Sequence, residues 1–130
     1  ILECVDQSNP DLILLEGQSS LRNPSGPGGS EFILSGNAKS VIIVHPIARK
    51  YFVDLEEFEY EIPDLIDEIK LIESYGANVI GVGINEENAT EDELIKFKNK
   101  YSQLLKIPVV LPLTDGVDDI VSNIKENLSL

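Results

Sequence analysis

The chain contains no methionine and no tryptophan, one cysteine and one histidine in 130 residues. Each scarcity excludes something. With Cys4 alone no internal disulfide can form, which fits a reducing cytosol, so the expected location is cytoplasmic. No apolar run approaches the ~20 residues a membrane-spanning helix needs, and no signal-peptide pattern occurs. Basic residues are few and scattered: 10 Lys and Arg against 23 Asp and Glu, a net charge of −13. A broad basic surface for nucleic acid is therefore excluded. Neither GxxxxGK[ST] nor GxGxxG is present, and Gly26-Pro27-Gly28-Gly29 lacks the Lys-Ser/Thr that would make it a phosphate loop. Cys/His metal-ligand clusters are absent, and one histidine among many serines defines no Ser-His-Asp triad. Since the chain starts at Ile1 and has no Met, the expectation is a single domain over residues 1–130 that forms part of a longer protein. Residues 1–6 then read as the last turns of an amphipathic helix, with Cys4 packed near its end or, alternatively, acting as a nucleophile.

What is present is an α/β pattern. At 130 residues the chain can bury about two thirds of its unfolded surface, and its 42% hydrophobic share is ordinary for a globular protein. Leu12-Ile13-Leu14-Leu15 has no helical spacing and reads as a strand buried on both faces. Further strands are expected at 40–44, 78–85 and 107–112. Helices are expected at 31–36, from Pro63 to Gly76, at 90–105 with a Thr90/Glu93 capping box, and at 116–127. Residues 22–30 read as a loop that serves as a connector or a lid, and residues 47–61 as an irregular crossover. Alternating strands and helices imply a parallel sheet between helical layers.

In such folds ligands bind beyond the carboxyl ends of the strands. Four parallel strands would gather Glu16, Gln18, Ser19 and Ser20 from the first, and His45 with Arg49 from the second. Asn85 would come from the third, and Thr114 with Asp115 from the fourth. Glu16 offers a hard oxygen for Mg²⁺ or a general base, and Gly17 a tight turn or close backbone approach. His45 is either a general base near neutral pH or a capped strand end. Arg49 can grip a carboxylate or phosphate, or simply lie on the surface. Asn85 and Asp115 also suit turns.

The strings LLEGQSSLRNP, VHP with Arg49 nearby, IPDLIDEIKLIESYG, VIGVGIN and IPVVLPLTDGVDDIV, taken in order, resemble the C-terminal region of the DUF1611 family. That family includes enzymes described as D-glutamate N-acetyltransferases. The resemblance implies a P-loop NTPase-like α/β fold, a three-layer parallel sheet that is incomplete here because the Walker-A-like loop lies upstream. It implies acetyl-CoA as donor and a small acidic amino acid as acceptor, within a homo-oligomer that needs neither nucleic acid nor membrane. Glu16 and His45 become the catalytic candidates, and Gln18, Ser19, Ser20, Arg49 and Asn85 the substrate-binding ones. Gly17 faces the cofactor, and this chain alone would be inactive. The EGQ turn also looks like the VEGAGG turn of dethiobiotin synthetase, where the glutamate helps hold Mg²⁺. An ATP- or GTP-using ligase or NTPase is therefore the alternative enzyme, and a non-enzymatic nucleotide-binding or interaction domain the third reading. One departure is Asn23-Pro24, where the family often has His-Pro.

Overall fold

A computed structural model describes residues 9–17 and 20–128. Among the described residues the architecture is a parallel three-stranded sheet with helices against it. Its order is α1 (Gly29–Ser35), β1 (Ser40–Pro46), a 3-10 turn (Glu56–Phe58), α2 (Leu65–Ser74), β2 (Asn78–Asn85), α3 (Glu91–Leu105), β3 (Val109–Val110) and α4 (Asp118–Leu128). The strands lie in the order β1-β2-β3, and both pairings are parallel. The expected helix at residues 1–6 and Cys4 fall outside the described residues.

β1 and β2 pair from Ser40↔Asn78 to Pro46↔Asn85, with one irregularity where Val41↔Val79 is followed by Ile42↔Gly81. Ile80 is the extra residue, and its carbonyl accepts a hydrogen bond from the Asn123 carboxamide at 2.6 Å. The bulge restores alternation, so Val79, Val82 and Ile84 join one core cluster with Leu65, Ile69, Ile72, Leu94 and Tyr101. On the opposite face Gly81 leaves room for α4. A Cβ there would lie 3.2 Å from Ile120 Cγ1.

The helix ends follow the side chains that satisfy their free amide donors. Thr90 and Glu93 form the expected reciprocal capping box, which holds the Glu93 carboxyl below its usual range through the Thr90 amide. α2 departs from expectation. Its cap is Asp64, whose side chain accepts from the Ile66 amide at 2.8 Å, so the helix starts at Leu65 and Pro63 stays outside. Asp64 Oδ2 also receives the Tyr101 hydroxyl at 3.4 Å. Asp64→Ala is expected to cost about 1–2 kcal/mol, read as a lower thermal midpoint, because both donors lose their acceptor.

One strand expectation is corrected. Residues 12–15 form no strand, and Leu14 is 75% exposed. An apolar run becomes a buried strand only where a neighbouring strand takes its backbone hydrogen bonds, and β1 bonds only to β2 among the described residues. The segment packs instead through its end. Leu15 Cδ1 would be 2.4 Å from a Cβ on Gly36, the residue that caps α1. The fourth expected strand shrinks to Val109–Val110.

Candidate functional site

β1 ends at His45-Pro46 beside Ile84-Asn85 of β2, so the carboxyl ends of two parallel strands open at one edge. A cavity of about 990 Å³ reaches from this edge to the segment before α1, and Glu16, Gly17, Ser20, His45, Arg49 and Asn85 all line it. These six belong to three separated stretches of sequence, and the fold brings them to one space. Gln18 and Ser19, the other two candidates, lie outside the described residues.

His45 is 9% exposed and faces the same side of β1 as Ile43, toward α3. Its ring stacks on Phe97, with centroids 5.8 Å apart and planes 15° from parallel, and Phe97 rests in turn on Tyr101 at 4.3 Å. Burial pulls the imidazole below its ordinary value of 6.5, and the Asp64 charge only partly opposes this. The ring is therefore neutral at pH 7, the protonation state a base requires. The sign carries a consequence for stability. A group whose folded value is depressed contributes fully above its unfolded value and loses that contribution as pH falls through the folded one. His45 thus stabilises the fold above pH 6.5 and opposes it progressively below. Thermal melts across this range should drop for the wild type more steeply than for His45→Asn; parallel curves would contradict the burial cause.

Glu16 is exposed at the mouth of the cavity. Among the described residues no group of three His, Cys, Asp or Glu gathers to hold a metal. An exposed single carboxylate nonetheless fits the way Mg²⁺ is held, by one or two carboxylates beside a phosphate-bearing ligand. Gly17 has a packing reason of its own, because a Cβ would stand 2.1 Å from the Phe32 ring. Ser20 Oγ is buried and finds no hydrogen-bond partner among the described residues.

The other candidates are already engaged. Arg49 pairs with Glu87, so gripping a ligand carboxylate requires exchanging that partner. Asn85 Oδ1 accepts from the Glu87 amide at 2.9 Å, the turn role that suited it. Thr114 and Asp115 lie at the same sheet edge but do not line this cavity. Both line a separate, smaller cleft between α3 and the loop after β3. Thr114 donates to Glu86 at 2.6 Å, and Asp115 pairs with Lys98 at 2.7 Å, which holds its carboxyl below the usual range. That loop is tied to the end of β2, since Glu86 also accepts from the Leu113 amide. Asn23 likewise has a local task, accepting from the Ser25 amide at 3.0 Å and the Ser25 hydroxyl at 2.8 Å.

Two residues that the sequence does not single out, Glu68 and Arg22, meet beside the cavity. Glu68 is 7% exposed in α2, and its Oε1 lies 2.9 Å from Nε of Arg22. The contact is an ion pair whose Nε–H does not point along the hydrogen-bond line, and Nη2 of Arg22 donates instead to the Asp67 carbonyl at 2.9 Å. Burial pushes the Glu68 carboxyl up, while Arg22 draws it back. The signal was in the spacing, because Leu65, Glu68, Ile69 and Ile72 share one helical face and only Glu68 is charged.

A family model described as "Domain of unknown function (DUF1611_C) P-loop domain" matches residues 1–121. A D-glutamate N-acetyltransferase from Pseudoalteromonas sp is 27% identical over 116 residues, covering 85% of this chain and 35% of that protein. The chain thus spans about a third of the length of the curated relative it matches. No described helix is long and apolar enough to cross a membrane.

Proposed function

The chain belongs to the DUF1611 family, and we propose that it supplies the acceptor side of an N-acetyltransferase site in the full-length protein. The observation that carries this reading is the single cavity lined by Glu16, Ser20, His45, Arg49 and Asn85. The proposed acceptor is the amino group of D-glutamate or a similar acidic amino acid, in line with the name of the relative. Such an amine is mostly protonated at pH 7 and must lose a proton before it can attack. The neutral imidazole of His45, or the carboxylate of Glu16, takes that proton. The freed nitrogen then attacks the thioester carbonyl of acetyl-CoA. A C–N bond forms, the C–S bond breaks, and the leaving thiolate takes the second proton that the nitrogen loses as it becomes an amide. Ser20, together with Gln18 and Ser19, orients the amine, and Arg49 holds a substrate carboxylate after releasing Glu87. Gly17 borders the side on which the donor would lie.

A second reading draws on the description of the matched family model as a P-loop domain. Here Glu16 would help hold Mg²⁺ beside a nucleotide, in a ligase or NTPase. Incubating the full-length protein with D-glutamate and acetyl-CoA in EDTA, and separately with ATP or GTP and Mg²⁺, decides between them. N-acetylglutamate formed in EDTA supports the acetyltransferase. Nucleotide hydrolysis that needs Mg²⁺, without acetyl transfer, supports the second reading. Neither reaction would leave a binding or interaction role.

A further inference from the structure

The cavity below the polar mouth runs along an unpaired strand edge. Successive side chains of a strand point to opposite faces of the sheet, yet all seven residues of β1 line the cavity, which only its edge allows. β2 takes one edge of β1, and among the described residues no strand takes the other. Residues 10–17 line the same cavity, and their apolar run Leu12–Leu15 joins no strand among the described residues either. A free edge flanked by apolar side chains is a template for a further strand.

The two faces of this slot differ. On the α2 face it is closed by Ile33 and Ile72, both buried in the core cluster. On the α4 face it is open. There Ile42 is 39% and Val44 68% exposed, and Ile124 and Leu128 of α4 line the cavity beside them. An occupant must therefore be apolar on both faces and bring its own cover for Ile42 and Val44. A second copy related by a two-fold axis would meet β1 edge to edge and antiparallel, in a slot that residues 10–17 already border. A parallel strand followed by a helix meets both needs, because such strands are joined by helices that lie on the sheet faces. The chain covers only 35% of the relative it matches, so that relative has the length to carry such a unit.

We propose that a strand–helix unit from the part of the full-length protein outside residues 1–130 completes the sheet in this slot. Its strand lies parallel to β1, between β1 and Leu12–Leu15, and its helix covers Ile42 and Val44 beside α4. The strand fills the deep part of the cavity along residues 12–15 and 40–44. Its carboxyl end opens at the mouth between Glu16 and His45, which stays free for ligand. The inference does not rest on the acetyltransferase reading, and no outcome below depends on acetyl transfer.

The test uses the full-length protein carrying Val44→Met, grown with photo-methionine in place of methionine. Residues 1–130 contain no methionine, so position 44 becomes the one photoreactive residue among them. An equal mixture of ¹⁵N-labelled and unlabelled protein is illuminated, digested and read by mass spectrometry. The expected product joins residue 44 to an apolar segment outside residues 1–130 of the same chain, with no mixed-isotope pairs. Mixed pairs would assign the face to contact between copies and overturn the proposal. Cross-links confined to residues 1–130, or none, would overturn it too. Val44→Lys in the full-length protein reads the burial independently. Under a helix the lysine should lower the thermal midpoint by at least about 10 °C or abolish folding. Leu104→Lys, on α3 and 58% exposed, should stay within about 3 °C of wild type. Equally small shifts in the two variants would show that Val44 is bare and overturn the proposal.

Discussion

Replacing His45 with asparagine in the full-length protein is expected to lower kcat for acetyl transfer by about 10²- to 10⁴-fold, the usual worth of a positioned general base. The size of the effect follows from the ring's surroundings. His45 is held flat on Phe97, is nearly excluded from solvent, and is neutral at pH 7 because burial outweighs the pull of Asp64. Asparagine is polar and smaller, so the fold keeps a tolerable occupant at the end of β1 while losing the basic nitrogen. The pH dependence sharpens the expectation. The acid limb of the wild-type kcat/KM profile should have its midpoint below 6.5, and that limb should vanish in the variant. A variant that retains full kcat with an unaltered acid limb would remove His45 from the chemistry.

The second large effect concerns the platform on which the site stands. Leu65→Ala is expected to destabilise the protein by about 2–5 kcal/mol and to lower the thermal midpoint by roughly 10 °C. Leu65 is fully buried at the first turn of α2, in the core cluster shared with Val82 and Ile84 of β2. Its removal opens a cavity directly beside Asp64 and three residues from Glu68, so the surroundings cannot collapse without moving the helix. Ile66, on the same turn, is only partly buried, and Ile66→Ala should cost distinctly less. Equal midpoints for the two variants would contradict this placement of the core.

How much of this was legible in the sequence depended on whether a signal is local. The capping box at Thr90 and Glu93 was readable because both partners lie within one turn. The strand at 78–85 was readable because Val79-Ile80-Gly81-Val82 has an apolar density that only a central strand uses, and β2 is central. Leu12–Leu15 carried the same local signal, yet its strand depends on a neighbour that local pattern cannot supply, and among the described residues none bonds to it. The site followed the same division. That His45 and Asn85 share a cavity was inferable from parallel topology, since they end paired parallel strands, whereas Glu16 and Ser20 line it although the run before them pairs with no strand among the described residues. The same rule puts Thr114 and Asp115 at the sheet edge, where Thr114 bonds Glu86 at the end of β2, but both line a different cleft and Asp115 is held there by Lys98. Glu68 and Phe97 were missed for a related reason. Phe97 belongs to the apolar stripe of its helix and reads as core, while Glu68 is a lone charge beside Leu65, Ile69 and Ile72, and only the tertiary fold sets Glu68 against Arg22 and Phe97 beside His45.

In the proposed function an amine is acetylated in the cavity between Glu16 and His45. The measurement that bears on this most directly is the rate of N-acetyl-D-glutamate formation from acetyl-CoA by the full-length protein and its Glu16→Gln/His45→Asn double variant, with folding checked by thermal melting. The double variant removes both groups proposed to take the proton of the amine. The expected result is an active wild type and a folded variant slowed by at least about 10²-fold. Equal rates in two folded proteins would contradict the proposed site.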